Sequence, residues 1–179
     1  MKAVRRMLAG RERHLAYTVE AMFQLEELFG EVPALIDAVS ANDREGFLAA
    51  CRAAAVLAEQ GELARRHMGY EPLPLLSPED VAATATPSDL PGLRSAIVSA
   101  ISLGFGREID PEDDEVDLGL AELNEQKKNE VTRAHYLRIG ALCGFSRKET
   151  LLAFPGEIGD AWELYLQAHG GRKRGAEEE

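Results

Sequence analysis

The sequence predicts a mainly α-helical protein with a helical N-terminal domain, an acidic linker and a small C-terminal helical domain. Apolar residues recur at helical spacing, caps and glycines separate the segments, and one run of carboxylates interrupts the pattern. We therefore divide the 179 residues into a helical domain (1–107), a linker (108–129), a C-terminal helical domain (130–170) and a tail (171–179). A chain of this length buries roughly 70% of the surface that its unfolded form exposes, so it needs no disulfide or metal to hold a core.

The first thirty residues predict a hairpin and then a helix. Residues 2–17 alternate imperfectly around a turn at Gly10-Arg11, which predicts a small β-hairpin; a ragged first helix is the alternative. Thr18 is a suitable N-cap, and Glu20 lies in the first turn, where the helix dipole favours an anion. Gly30 ends this helix.

Three helical segments follow. Pro33–Val39 predicts a short helix with its proline near the first position. Asn42 and Glu45 form a predicted capping box, worth on the order of 1 kcal/mol, that opens a longer helix. The apolar stripe of that helix consists of Phe47, Cys51, Ala54, Leu57 and Ala58. The sequence Glu62–His67 predicts a separate helical turn that ends at Gly69.

Two more helices complete the N-terminal domain. Ser77-Pro78 restarts a helix after a proline-rich segment. Residues 88–103 predict another helix, capped by Ser88 or Asp89 and ended by the glycines of Gly104-Phe105-Gly106. Its predicted buried face consists of Leu90, Leu93, Ile97, Ala100 and Ile101.

The C-terminal domain contains three predicted helices. The first runs from about Glu130 to Leu142 and turns at Gly144. Ser146–Glu149 is a capping box, and the short helix Thr150–Phe154 that follows it breaks at Pro155-Gly156. The final helix has a broad apolar face that consists of Ile158, Ala161, Trp162, Tyr165 and Leu166.

The linker begins with a run of carboxylates. The ten residues EIDPEDDEVD at 108–117 include seven acidic side chains. Adjacent like charges repel each other, which predicts a solvated linker. A calcium loop of the EF-hand type needs a glycine at its sixth position and a glutamate at its twelfth, and neither spacing is present. A polar seam, Asn124–Glu130, follows this run, and composition predicts disorder for the tail at 171–179.

Charge and composition argue against several classes of protein. The chain has 20 basic and 31 acidic residues, a formal charge of −11 and a pI near 4.9. An acidic surface opposes nucleic-acid binding, because affinity for a polyanion comes from a basic surface that releases its counterions. No apolar run approaches the roughly 20 residues of a membrane span, and the N-terminus lacks the apolar core of a secretory signal. We expect a soluble, intracellular protein in which Cys51 and Cys143 are buried hydrophobes rather than a bridge.

The sequence contains no pattern that predicts catalysis. The four histidines, at positions 14, 67, 135 and 169, lack the spacing of metal ligands. Gly104-Phe105-Gly106 begins like a dinucleotide-binding loop, but Ile109 stands where the third glycine belongs and a helix precedes the segment. A phosphate-binding loop and a nucleophile elbow are also missing. We therefore predict no catalytic, cofactor-binding or metal-binding residues and expect that the protein is not an enzyme.

One segment has the pattern of a DNA-reading module. RIGALCGFSRKETLL, at 138–152, offers a helix, a glycine turn, a serine cap and a second helix. A reading helix needs several polar side chains that reach base edges. This second helix is barely two turns long and presents Leu151 and Leu152. A tight αα-corner is the favoured interpretation, and a helix-turn-helix regulator is the alternative.

Five segments combine helical spacing with caps in a characteristic order along the chain. The first part contributes YTVEAMFQLEELFG, LAEQGELARRHMGYEP, AIVSAISLGFGRE and EDDEVDLGLAEL, the last followed by lysines, and the second part contributes YLRIGALCGFSRKETLLAFPGEIGDAWELYLQAHG. Together they resemble the tail assembly chaperones of long-tailed bacteriophages and prophages. The resemblance covers nearly the whole chain and consists of helices and caps, with no catalytic signature.

The resemblance implies protein binding during virion assembly. In this family a shorter product binds the tape measure protein of the viral tail, and a longer frameshift product recruits tail tube subunits. Gln126-Lys127-Lys128 is what an adenine-rich slippery stretch would encode, so we interpret the polar seam as a programmed frameshift junction and this chain as the long form. The expected location is the host cytoplasm rather than the mature virion, and self-association is an additional expected interaction.

Three aromatic residues are the predicted partner-binding residues: Phe154, Trp162 and Tyr165. Large aromatic side chains dominate many protein interfaces because they bury much area at little cost in entropy. A core position for Trp162 is the favoured alternative in so small a domain. The alternative functions are a helix-turn-helix DNA-binding regulator and a structural adaptor that stays in the tail.

Overall fold

The computed structural model describes residues 2–109 and 132–169. Within these ranges the protein is mainly α-helical, with eight helices and a two-stranded antiparallel hairpin at the N-terminus, which confirms the predicted fold class. The acidic run beyond Ile109, the polar seam, the proposed frameshift junction and the tail all lie outside the described residues.

The hairpin is formed by β1 (Val4–Leu8) and β2 (Arg11–Leu15), which pair with Val4 opposite Leu15 and Leu8 opposite Arg11. Its two-residue turn is Ala9-Gly10 rather than the predicted Gly10-Arg11. Both turn residues have positive φ, 48° and 72°, as the tight primed turns of hairpins require.

Two helices follow the hairpin and pack against each other. Helix α1 (Val19–Phe29) begins at Thr18, whose side chain accepts a hydrogen bond from Ala21 N–H, as predicted. Gly30, at φ 84°, ends α1 and lets the chain turn into α2 (Val32–Ser40).

Helix α3 (Arg44–His67) is the central element of the fold and contacts β2, α1, α2, α4 and α5. Its N-cap is Asp43, which accepts a hydrogen bond from Gly46 N–H, so the predicted capping role of Asn42 was wrong by one residue. The predicted separate turn was also wrong, because α3 continues through Gly61. That glycine is buried against β2, where an added Cβ would lie 1.7 Å from the carbonyl oxygen of His14.

The small side chains of α3 let its neighbours approach closely. Its buried alanines are Ala49, Ala50, Ala53, Ala54, Ala55, Ala58 and Ala64. The main core forms around them, with leucines and valines from the surrounding helices and the hairpin. Each alanine loses little conformational entropy on burial, so a dense core forms from few bulky side chains.

Two further helices close the N-terminal part. Helix α4 (Pro78–Thr84) begins at the capping box of Ser77 and Asp80. A 3₁₀ turn, Pro87–Asp89, leads into α5 (Leu90–Phe105), whose Leu93, Ile97, Ala100 and Ile101 are buried as predicted. Gly104 does not end α5. It lies inside the helix, where an added Cβ would meet Tyr17 at 2.6–2.8 Å.

The C-terminal part contains α6 (Arg133–Leu142), α7 (Arg147–Leu152) and α8 (Pro155–Ala168). The capping box of Ser146 and Glu149 is present. Helix α7 ends before Pro155, as predicted, although its bounds are Arg147–Leu152 rather than Thr150–Phe154. Pro155 and Gly156 form the first turn of α8, where the missing N–H of a proline costs no helical hydrogen bond. Of the predicted apolar face of α8, Ile158 is buried and the other four residues are half-buried.

The C-terminal helices pack on α1 and on the end of α5. A second apolar cluster forms there, with Val19, Ala153 and Ile158 buried at its centre. Val19 N–H donates a hydrogen bond to the carbonyl oxygen of Ala153 over 2.9 Å, which satisfies a free donor at the start of α1. The two parts are therefore in contact, and their division into separate domains stays a prediction.

Candidate partner-binding groove

An apolar groove of about 360 Å³ lies where α1, the α1–α2 turn, the end of α5 and α6 meet. Its apolar side chains are Met22, Leu25, Val32, Pro33, Leu35 and Phe105. Pockets of this size with a mainly apolar lining are typical binding sites.

The turn after α1 shapes one end of the groove. Gly30 N–H donates a hydrogen bond to the carbonyl oxygen of Glu26 over 2.8 Å, and the positive φ of Gly30 then reverses the chain. Pro33 lies in the first turn of α2, where its fixed φ suits the helix. The chain therefore folds back on α1 within a few residues, and the groove opens beside this turn.

Two tyrosines contribute polar groups to the groove. The Tyr17 ring is buried, with its centroid 5.3 Å from that of Phe105. Burial, and then the nearby Tyr136 and Glu26, raise the pKa of Tyr17 well above its usual value. Burial also raises the pKa of Tyr136. Both hydroxyl groups therefore stay protonated at neutral pH.

Helix α6 contributes Tyr136 to the wall of the groove. The Tyr136 ring packs edge-on against Phe23 of α1, with centroids 5.9 Å apart. One helical turn earlier, Arg133 forms a salt bridge of 2.6 Å with Glu20. The groove is thus built from both the N-terminal and the C-terminal parts of the chain.

The aromatic residues predicted to bind a partner lie elsewhere. Phe154 is only 4% exposed and precedes α8 as its N-cap. Trp162 and Tyr165 are half-buried on α8 and stack with centroids 5.4 Å apart, and Tyr165 also stacks on His169 at 4.0 Å. We call Trp162, Tyr165 and His169 the aromatic ladder. The structure brings Trp162 and Tyr165 together and leaves Phe154 in the interior, and their partner binding stays a prediction.

Sequence reasoning missed the groove residues Phe105 and Tyr136. Phe105 is 45% exposed although it ends an apolar helix. Its position between two glycines, Gly104 and Gly106, was the sequence feature that could have indicated an accessible aromatic ring. Tyr136 had no such signal, because its role depends on how α6 packs against α1.

The corner between α6 and α7 is tight. An added Cβ on Gly140 would lie 2.1 Å from Oγ1 of Thr150, so the two helices meet at a distance that only glycine allows. Helix α7 has six residues and contacts both α1 and α3. Helix α7 therefore joins α6 and α8 to the rest of the fold, and the αα-corner stays the favoured interpretation of this segment.

A buried carboxylate holds the loop after α3. Glu62 accepts hydrogen bonds from Leu73 N–H at 2.7 Å, from Arg66 at 3.0 Å and from Arg65 at 2.6 Å. Burial by itself raises the pKa of Glu62, but these hydrogen bonds outweigh it and lower the pKa below its usual value. The cluster ties Leu73, in the loop after α3, to the end of α3, and Glu62 is fully occupied by these contacts.

No group of three or more histidine, cysteine or acidic residues in the described ranges is arranged to hold a metal ion. The helices in these same ranges are all too short or too polar to cross a membrane. Comparison with known protein families, with curated proteins and with solved structures gives no match for this chain. The groove is consequently the feature from which a function is best argued.

Proposed function

We propose that this protein is a tail assembly chaperone of a bacteriophage or prophage, which binds the tape measure protein and recruits tail tube subunits while the tail is built. The observation that carries the proposal is the open apolar groove bordered by Phe105 and Tyr136. The resemblance of the sequence segments to this family supports the same assignment. The protein acts by binding in the host cytoplasm and is released before the virion is complete.

A groove of this kind suits one face of a helix. Amphipathic helices bind through apolar side chains at positions i, i+3, i+4 and i+7, which enter an apolar groove on the partner. The tape measure protein is expected to be long, helical and prone to aggregate when its apolar faces are exposed. A chaperone with a charge of −11 keeps such a complex soluble, because coated complexes repel each other.

The aromatic ladder is a second surface, which we assign to the tail tube subunit. Trp162 and Tyr165 lie on α8 and are not among the residues that line the groove. Two separate surfaces allow one chain to hold both partners, which raises the effective concentration of one beside the other.

The frameshift remains part of the proposal. The gene is expected to carry an adenine-rich slippery heptamer at the codons for Gln126-Lys127-Lys128. A single uninterrupted reading frame without that heptamer would contradict the long-form interpretation, although not the chaperone function itself.

Co-purification with tail proteins tests the function. Tagged full-length protein, co-expressed with the tape measure and tube proteins of its own genome, is expected to retain both and to be absent from purified tails. Phe105→Ala is expected to weaken tape measure binding at least tenfold. Val98→Ala is the matched control, because Val98 lies on the same helix with a similar exposed fraction, 41% against 45%, and does not line the groove.

The aromatic ladder is tested in the same assay. A folded Trp162→Ala variant is expected to lose the tube protein and to keep the tape measure protein. Unchanged tube binding together with lowered stability would assign Trp162 to the core alone. If the wild-type protein retains neither tail component, the chaperone proposal is wrong.

A further inference from the structure

We infer that the groove selects a basic amphipathic helix, whose apolar side chain enters the groove while a flanking lysine or arginine pairs with Glu26 and Glu31. This inference rests on the proposed function, since it specifies which part of a partner the chaperone binds. It concerns the chemistry of the partner and not only the presence of an apolar surface.

The two carboxylates border the groove, and the described part of the chain places no cation against either of them. Glu26 and Glu31 both line the groove and both are exposed. In residues 2–109 and 132–169, no lysine, arginine or histidine nitrogen lies within 4.0 Å of either carboxylate. Glu20, on the same helix as Glu26, is by contrast paired with Arg133. The border of the groove therefore offers two negative charges that an incoming cation can pair with.

Helix ends do not cancel this charge. Helix α1 ends beside the groove with no basic residue in its last turn, and α2 begins there with Glu31 as its N-cap. A helix C-terminus carries a partial charge of about −0.5 and an N-terminus about +0.5, so the two ends offset each other. Among the described residues that line the groove, the charged ones are Glu26 and Glu31, and they contribute a formal charge of about −2 beside the apolar cavity.

The size of the groove limits what enters it. A volume of about 360 Å³ accommodates one or two apolar side chains rather than the backbone of a whole helix. The half-exposed ring of Phe105 borders the opening and offers a flat apolar surface beside it. A helix that lies across the opening places an apolar anchor inside and its flanking residues over the border, where the carboxylates are.

A second copy of this chain is a poor occupant on charge grounds. Each copy carries −11, so two copies repel each other at low ionic strength. A cationic helix gains from the same field, because opposite charges speed the encounter and favour the correct orientation.

Two designed peptides test the inference on the full-length protein. Both are fluorescent 18-residue amphipathic helices with the same leucine face; one carries lysines beside that face and the other carries glutamates. Fluorescence anisotropy is expected to show at least tenfold tighter binding of the lysine peptide, with a difference that shrinks as salt is added. Equal binding of the two peptides, or no binding of either, would overturn the inference.

Variants with neutral side chains test whether the preference for the lysine peptide arises at the groove. Glu26→Gln/Glu31→Gln is expected to weaken the lysine peptide about tenfold, as the loss of two exposed ion pairs suggests. Glu12→Gln/Glu71→Gln removes the same charge from exposed positions elsewhere and is expected to leave the affinity unchanged. Phe105→Ala is expected to weaken both peptides. An equal loss of affinity for the lysine peptide in the two double variants would show a general effect of net charge and would contradict a binding site in the groove.

Binding of the tape measure protein to the same variants separates this inference from the proposed function. If the tape measure protein binds the wild type and Glu26→Gln/Glu31→Gln equally well, the inference fails and the chaperone function stands. If the lysine peptide binds as expected and no tail protein does, the groove inference stands and the chaperone function fails. A dimer that Phe105→Ala dissociates in sedimentation experiments would assign the groove to a second copy and overturn the inference.

Discussion

Two glycines on α8 provide a sharp test of how the C-terminal helices pack on the rest of the fold. A Cβ added at Gly156 would lie 2.3 Å from the carbonyl oxygen of Gly106 and 3.0 Å from that of Phe105. A Cβ added at Gly159 would lie 3.5 Å from the nearest atom, the Nε of the Arg107 side chain. The first is a collision with backbone, whereas the second is an ordinary contact with a flexible side chain.

The two substitutions are therefore expected to change stability in opposite directions. Gly159→Ala gains up to about 1 kcal/mol, because alanine has less conformational entropy to lose than glycine in a helix interior. Gly156→Ala has a similar or smaller gain in helix propensity, but overpacking against fixed backbone costs about 1–3 kcal/mol. We expect Gly156→Ala to be less stable than Gly159→Ala by about 1–3 kcal/mol.

Urea unfolding measures this difference. Trp162 is the single tryptophan of the chain and lies on α8, so its fluorescence reports on that helix, while far-ultraviolet circular dichroism reports on the whole fold. We expect the fluorescence midpoint to fall for Gly156→Ala and to rise for Gly159→Ala. Equal midpoints, or a more stable Gly156→Ala, would refute the close approach of α8 to the end of α5.

Two further substitutions test contacts that hold the N-terminal part together. Glu62→Gln is expected to cost about 1.5–3 kcal/mol, because the buried amide loses charge-assisted hydrogen bonds. The pKa of Glu62 is lower in the folded state than in the unfolded chain, so its contribution to the free energy of unfolding is complete above about pH 5 and is lost as the pH falls below about 4.5. Glu62→Gln should therefore lose less stability on acidification than the wild type. The same dependence of stability on pH in both proteins would contradict this. Arg94 donates hydrogen bonds to Val39 O at 2.6 Å, to Asn42 Oδ1 at 2.9 Å and to Ala41 O. Arg94→Met should therefore lower the free energy of unfolding by about 1–2 kcal/mol and lower the thermal midpoint with it, whereas Arg52→Met, at an exposed site of α3, should leave both unchanged.

Most of the elements follow from local sequence. Thr18, Ser77 and Ser146 each accept the capping hydrogen bond expected of them, because a cap depends on residues within one turn. Gly30 and Gly144 turn the chain with positive φ for the same local reason.

The errors arose where a distant neighbour decides the outcome. Glu62–His67 was predicted as a separate turn and Gly104 as a helix end, but Gly61 and Gly104 both lie inside helices, where another backbone or ring approaches each of them closely. Asn42 was read as a cap, yet its side chain accepts a hydrogen bond from Arg94 of α5 and Asp43 caps the helix. A glycine or an asparagine has the same local pattern in both situations, and only tertiary packing separates them.

The candidate site was less predictable than the fold. The aromatic residues Trp162 and Tyr165 were recognisable from composition, but the groove draws Met22, Phe105 and Tyr136 from three helices far apart in sequence. A cavity is the space left between elements, so its position depends on how helices pack rather than on any one segment.

The hydrogen bond from Val19 to Ala153 has a consequence for synthesis on the ribosome. The acceptor, Ala153, lies far beyond Val19 in the sequence, so it is made on the order of ten seconds later at ~5–20 residues per second. Until then Val19 and the ring of Phe23 lack the cover that the last three helices provide. A nascent chain therefore exposes an apolar patch at the start of α1 until the ribosome has made the residues of α6, α7 and α8 that cover it.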